Sequence, residues 1–72
     1  MYRNDYKSLG ELIKCERESK LMNQKTLALQ MGVTVTSVST WELDKQKPSL
    51  ASLNKLSVVL GVPVKAMIKF II

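Results

Sequence analysis

Few residue types in this sequence could carry out chemistry, and those that could are scattered along the chain. It contains no histidine, a single cysteine at position 15 and six carboxylates without paired spacing, so neither a metal site nor a catalytic acid–base pair is indicated. The three glycines, at positions 10, 32 and 61, stand too far apart to form a glycine-rich phosphate loop. We therefore predict no enzyme activity, no cofactor and no bound metal.

A denser group of side chains lies between residues 34 and 40, where every residue is β-branched or carries a hydroxyl. These residue types have lower helix propensity than alanine. The spacing nevertheless predicts a helix from about 35 to 43, with Thr34 as its N-cap. Val38 and Trp41 would face inward, and their packing would hold a helix that is weak by itself. Its outward face would then be free to contact another molecule.

Capping residues and breakers divide the chain into short helical segments within one domain, residues 1–72. Ser, Asn or Thr precedes several segments, and Gly32 and Gly61 end two of them. The predicted segments are approximately residues 8–21, 23–31, 35–43, 49–60 and 63–68. The fold class that this pattern predicts is all-α, a compact bundle of five short helices.

Apolar residues recur at helical spacing and predict the core. In the first helix, Arg17 and the stem of Lys20 would lie on the inward face, while Cys15 would lie on the outward side as an incidental surface residue. The predicted inward apolar positions are Leu9, Leu12, Ile13, Leu27, Ala28, Met31, Leu50, Leu53, Leu56, Val59 and Leu60.

The charge distribution favours a polyanionic partner. Eleven Lys and Arg against six Asp and Glu give a net charge of +5, which would attract nucleic acid or an anionic membrane surface. Residues 23–72 carry most of the excess, with six basic and two acidic groups. A lone cysteine and an amino-terminal "MYRNDYKSLGE" without an apolar core predict a reduced, cytoplasmic setting. "AMIKFII" is too short to span a membrane.

Residues 13–67 resemble the lambda-repressor-like (Xre/Cro) helix-turn-helix DNA-binding family. The matching positions are Gln24, Leu27, Ala28, Gly32, Val33, Ser39, Glu42, Lys45, "KPSL" and "LGV". The resemblance implies double-stranded DNA as partner, with the second helix across the groove entrance and the third in the major groove. By position, it implies base reading by Val35, Thr36, Ser39 and Thr40. It implies phosphate binding by Asn23, Gln24, Thr34, Ser37, Lys45, Gln46 and Lys47.

The resemblance also implies an ion pair between Arg17 and Glu42, which would link the first helix to the end of the third. Two departures from the family pattern concern DNA reading. The third helix lacks Arg, Gln and Asn, the residues that make bidentate contacts with purines, so discrimination would depend on methyl contacts and DNA shape. Asp44 stands where the family often has glycine, and its charge argues against a phosphate contact there.

The carboxyl-terminal apolar tail is predicted to mediate dimerisation. The candidate contact residues are Val64, Met67, Ile68, Phe70 and Ile71. Residues 68–72 could continue the last helix or pair as a short strand, and Phe70 with Ile71 could instead fold back onto the chain's own core.

These observations predict a sequence-specific DNA-binding transcriptional regulator, a repressor that binds an inverted-repeat operator as a homodimer. One alternative is the antitoxin of a toxin–antitoxin pair, which would use the same fold and also hold a small protein partner. Another is a module that binds proteins or a membrane surface only, which salt-sensitive retention on duplex DNA would exclude.

Overall fold

The computed structural model describes residues 5–72, and this range contains five α-helices and no strand. They are α1 (Leu9–Ser19), α2 (Gln24–Met31), α3 (Val35–Glu42), α4 (Leu50–Leu60) and α5 (Val64–Ile68). The predicted all-α class is confirmed. The amino-terminal stretch "MYRNDYKSLGE", which lacks the apolar core of a leader peptide, begins with residues that lie outside this range.

Side-chain caps explain where most of these helices begin. Four N-cap side chains accept a hydrogen bond from the backbone N–H three residues later, and these caps are Ser8, Asn23, Thr34 and Ser49. Gly32 and Gly61 end α2 and α4 in the left-handed conformation, with φ of 72° and 69°. This conformation is readily available to glycine.

Helix α1 is shorter than predicted. It ends at Ser19, and the N–H of Met22 turns back to the carbonyl of Arg17. Leu21 adopts the left-handed conformation, with φ of 58°, which turns the backbone out of the helix. Leucine by itself favours helix, and this one is 96% exposed. Lys20 is not part of the core: its side chain is 38% exposed, and its ammonium lies 3.6 Å from a carboxylate oxygen of Glu16.

The core contains most of the predicted apolar positions, with two corrections. Leu50 is 60% exposed, whereas Pro48, two residues earlier, is buried. Cys15 is half-buried and packs against the core, because α1 contacts both α3 and α4 and so buries more than one narrow stripe. The fully buried side chains are Leu12, Ile13, Leu27, Leu53, Leu56, Leu60, Met67, Val38 and Val62.

Helices α1 and α3 approach each other closely at Gly10. A Cβ atom at this position would lie 2.5 Å from the carbonyl oxygen of Glu42 and 2.7 Å from that of Trp41. The N–H of Gly10 donates to Oδ1 of Asp44 at 2.9 Å, and Asp44 has φ of 59°. The start of α1 is therefore fixed to the end of α3.

The tail neither continues α5 nor forms a strand. The N–H groups of Phe70 and Ile71 donate to the carbonyls of Met67 and Ile68, which makes a turn after the helix. Phe70 and Ile71 pack in part against the core. Met67 is 0% exposed, so its assignment to a dimer surface is wrong, since its side chain belongs to the core. No helix within residues 5–72 is long and apolar enough to cross a bilayer.

Candidate nucleic-acid interface

Helix α3 is anchored by its inward side chains. Val38 is 0% exposed and Trp41 is 7% exposed, and α3 packs against both α1 and α2. The predicted inward face of α3 is thus confirmed. Because these contacts fix its rotation about its own axis, the opposite face points in one defined direction.

A buried ion pair holds the carboxyl-terminal end of α3. Nε of Arg17 lies 2.7 Å from Oε2 of Glu42, and a second guanidinium nitrogen donates to Oε1 at 3.1 Å. The two side chains are 9% and 4% exposed. A further Arg17 nitrogen donates to the carbonyl of Met22 at 2.7 Å. The predicted pair is therefore present, with bidentate geometry, which is the stronger form of this interaction.

Gln24 extends this pair to a third helix. Its Nε2 donates to Oε1 of Glu42 at 3.0 Å, so α1, α2 and α3 meet at one carboxylate. The hydrogen bond to Glu42 raises the pKa of Arg17, while burial acts in the opposite direction. In the described part of the chain, no buried side-chain nitrogen or oxygen lacks a hydrogen-bond partner.

The outward face of α3 forms one wall of a shallow concave surface, which we call the reading surface. It brings together the four predicted base-reading residues, two predicted phosphate-binding residues and one residue without a predicted role. Its lining residues are Val35, Thr36, Ser39, Thr40, Gln24, Lys45 and Leu43. The helix thus presents methyl groups and hydroxyls to this space, and the loop after it adds the ammonium group of Lys45.

The hydroxyls of the reading surface differ in their availability. Thr40 donates its hydroxyl proton to the carbonyl of Thr36, which leaves oxygen lone pairs and a methyl group for another molecule. The hydroxyls of Thr36 and Ser39 make no hydrogen bond within residues 5–72, so each can donate and accept. Val35 is 43% exposed. Contacts from this surface would accordingly combine hydroxyl and methyl groups.

The predicted phosphate-binding residues do not lie together. Asn23 and Thr34 are exposed, and their side-chain oxygens accept from Thr26 N–H at 2.8 Å and Ser37 N–H at 3.1 Å, so both serve as caps. The hydroxyl of Ser37 also pairs with that of Thr34. Lys45 borders the reading surface. Gln46 and Lys47 line a different groove.

Sequence reasoning missed several contributions to this site. Leu43 is 61% exposed and lines the reading surface; its spacing of four residues from Ser39 and seven from Thr36 was a signal that could have found it. The bond between Gln24 and Glu42 and the contact of Gly10 with Asp44 had no signal in the sequence. Each joins positions far apart in the chain.

Comparison with known proteins identifies the class. A family model described as helix-turn-helix matches residues 13–66, and this range contains α2, α3 and the buried ion pair. The chain therefore belongs to the helix-turn-helix family of DNA-binding proteins.

One curated relative also matches. The chain is 37% identical over 60 residues to the SPbeta prophage-derived uncharacterized HTH-type transcriptional regulator YonR of Bacillus subtilis (strain 168). The match covers 83% of this chain and 56% of the relative. The chain thus spans little more than half the length of that protein.

Proposed function

We propose that this chain binds double-stranded DNA sequence-specifically and represses transcription as a homodimer on an inverted repeat. The observation that carries the proposal is the reading surface. Its outward side chains, Val35, Thr36, Ser39 and Thr40, lie on a helix whose inward side chains and buried ion pair fix its orientation. A reading helix needs this combination of a rigid position and an exposed polar face.

Two groups of residues would have different tasks in DNA binding: one would contact phosphates and position the protein, and the other would contact bases. Lys45, Gln46 and Lys47 are exposed in the loop after α3 and would contact phosphates, which set the register without reading sequence. The methyl groups of Val35 and the threonines would pack on thymine methyl groups in the major groove. Because the surface carries no Arg or Asn, and the Gln24 amide is bonded to Glu42, DNA shape would supply further discrimination.

The amide of Gln24 has a specific place in this mechanism. One of its two N–H groups is engaged with Glu42, which leaves the second for a phosphate at the border of the reading surface. A phosphate contact there would depend on the Arg17–Glu42 pair, because the same carboxylate orients the amide. Occupation of the operator would then block polymerase sterically.

The homodimer is proposed on the apolar residues at the carboxyl-terminal end. Val64, Ile68, Phe70 and Ile71 are only partly buried, and Ile72 is 92% exposed. A symmetric contact through this surface would cover it and would place two reading helices about 34–36 Å apart, in successive major grooves. Met67 has no part in this contact because it lies in the core.

Selection of bound duplexes from a random pool tests the proposal directly. The expected result is one short motif repeated with inverted symmetry at a spacing of about one helical turn. Retention on duplex DNA should weaken steeply with salt. A pool without an enriched motif would contradict sequence-specific binding, and a single asymmetric motif would contradict the symmetric dimer. Co-purification of a second small protein would instead favour the antitoxin function.

The loop lysines should anchor the protein without reading sequence. We expect Lys45→Ala or Lys47→Ala to weaken binding to all duplexes about equally and to reduce the log–log salt slope by about 1. Fluorescence anisotropy across a salt series on the selected and a scrambled duplex measures both effects. Lys14→Ala provides the control, because Lys14 is exposed on α1 and lines neither groove. Unchanged salt slopes in both loop variants would show that the DNA-binding surface lies elsewhere on the protein.

Thr36 should contribute to base recognition rather than to sequence-independent affinity. We expect Thr36→Ala to change preference at particular base pairs by about 1–3 kcal/mol, because its free hydroxyl and methyl group face the reading surface. Binding to random duplex should stay nearly unchanged. Repeating the selection with the variant measures the change, and Leu29→Ala, which alters a 74% exposed leucine outside the surface, is its control. A uniform loss on every sequence would place Thr36 among the anchoring residues.

A further inference from the structure

A second groove adjoins the loop after α3 and shares no residue with the reading surface. Lys7 comes from the segment before α1, and Gln46 and Lys47 come from the loop. Trp41 and Phe70 supply apolar wall, so three distant parts of the chain build the groove. Neither the family match, which begins at residue 13, nor the base-reading residues account for Lys7.

The segment that carries Lys7 is held in place on both sides. The hydroxyl of Tyr6 donates to the buried carboxylate of Glu16. The N–H of Lys7 donates to Oε1 of Glu11 at 2.7 Å, and Gly10 is bonded to Asp44 of the loop at 2.9 Å. Lys7 therefore lies on a segment that hydrogen bonds hold against the rest of the fold.

The charges along this groove do not balance. Lys7 and Lys47 are exposed, and neither forms an ion pair with any residue in the range 5–72. Lys69, whose ammonium lies 5.4 Å from the centre of the Phe70 ring, adds a third positive charge beside the groove. On the acidic side, Asp44 lines the groove and Glu11 lies beside it, and each already accepts a backbone N–H, from Gly10 and Lys7 respectively, so three ammonium groups stand against two carboxylates. Unpaired like charges at one groove repel each other unless an anion lies between them.

We propose that this groove binds a backbone phosphate of the DNA, with Lys7 and Lys47 as the charged contacts and the Gln46 amide as a further donor. The proposal rests on the proposed DNA binding and adds a phosphate contact from outside the helix-turn-helix match. The apolar wall formed by Trp41 and Phe70 strengthens the attraction, because a low-dielectric border concentrates the field of the two ammonium groups.

The salt dependence of binding tests this site with the full chain and a random-sequence duplex as probe. Lys7→Ala is expected to weaken binding several-fold and to make the log–log salt slope shallower by about 1. Lys7→Ala combined with Lys47→Ala should reduce the slope by about 2. Lys7→Arg should retain the wild-type slope, and Lys14→Ala again provides the matched control. Lys7→Gln removes the charge with a similar stem, so it checks that lost packing is not the cause.

Asp44→Asn tests the same groove in the opposite direction. Asparagine keeps an acceptor for the Gly10 N–H and tolerates the left-handed conformation, but it removes the negative charge. Binding should tighten about two- to fivefold at every sequence, most strongly at low salt. Thermal unfolding of each variant checks that the fold is retained.

The outcomes separate this site from the function on which it rests. If the wild-type protein shows no salt-sensitive retention on duplex DNA, both the proposed DNA binding and the phosphate site are contradicted. Normal wild-type binding with an unchanged slope in Lys7→Ala and in Lys7→Gln would overturn the phosphate site alone. A Lys7 variant that changes only the mass in solution would also overturn it, because the groove would then be covered by a second copy of the chain.

Discussion

Replacing Arg17 with methionine is expected to lower the free energy of unfolding by about 3–5 kcal/mol, because the change leaves Glu42 as a buried charge without its cation. The side chains of Arg17 and Glu42 are only 9% and 4% exposed, so water cannot replace the lost partner. A domain of this size has a small total stability. The variant should therefore be partly unfolded at growth temperature. Urea unfolding followed by circular dichroism measures the loss.

Two controls show whether burial is the cause. Lys20→Ala removes a looser contact, 3.6 Å from the buried carboxylate of Glu16, but the lost cation is 38% exposed and the Tyr6 hydroxyl still donates to that carboxylate, so the change should cost under about 1 kcal/mol. Changing Arg17 and Glu42 together to methionine and leucine should recover much of the loss, because no charge is then left buried alone. If Arg17→Met costs no more than Lys20→Ala, the pair does not stabilise the fold, despite its bidentate geometry.

Gly10→Ala is expected to destabilise the fold by about 1–3 kcal/mol through overpacking, although alanine is normally the better helix residue by about 1 kcal/mol. The new methyl group would lie 2.5 Å from the carbonyl oxygen of Glu42 and 2.7 Å from that of Trp41. Both are backbone atoms, so they can move only if α1 and α3 separate. Trp41 is the chain's one tryptophan, and its fluorescence should report the displacement in the folded state.

Gly61→Ala is the matched control for Gly10→Ala. No atom lies within 4 Å of a Cβ at position 61, but φ is 69°, so alanine there should cost about 1–2 kcal/mol through backbone conformation alone. It should leave the emission of Trp41 and the affinity of the folded protein for DNA unchanged. If Gly10→Ala behaves in the same way, the close approach of the two helices does not position α3.

Local rules were sufficient to predict where most of the helices begin. Asn23, Thr34 and Ser49 cap because a side-chain oxygen can reach an N–H three residues away, and this geometry needs no other part of the chain. The inward positions of Val38 and Trp41 follow from helical spacing. The end of α1 could not be predicted from local rules, because tertiary packing decides whether a residue such as Leu21 continues a helix.

The long-range contacts were less predictable. The Arg17–Glu42 pair was expected only from the family resemblance, and the participation of Gln24 in it was not expected. Nothing in the local sequence around Gly10 indicates that it lies against the end of α3. Such contacts depend on the distance between helices, which periodicity does not encode. Leu50 illustrates the same limit, because it keeps the helical spacing of the core positions and is nevertheless 60% exposed.

The two sides of α3 have different evolutionary freedom. Val38 and Trp41 hold the helix to the core, whereas Thr36 and Ser39 make no side-chain hydrogen bond within the described range and can be exchanged at little cost to folding. A lineage could therefore retarget the protein to a new DNA sequence through a few substitutions on one side of one helix. The DNA site and the outward side of α3 could then change together while the rest of the fold stays unchanged.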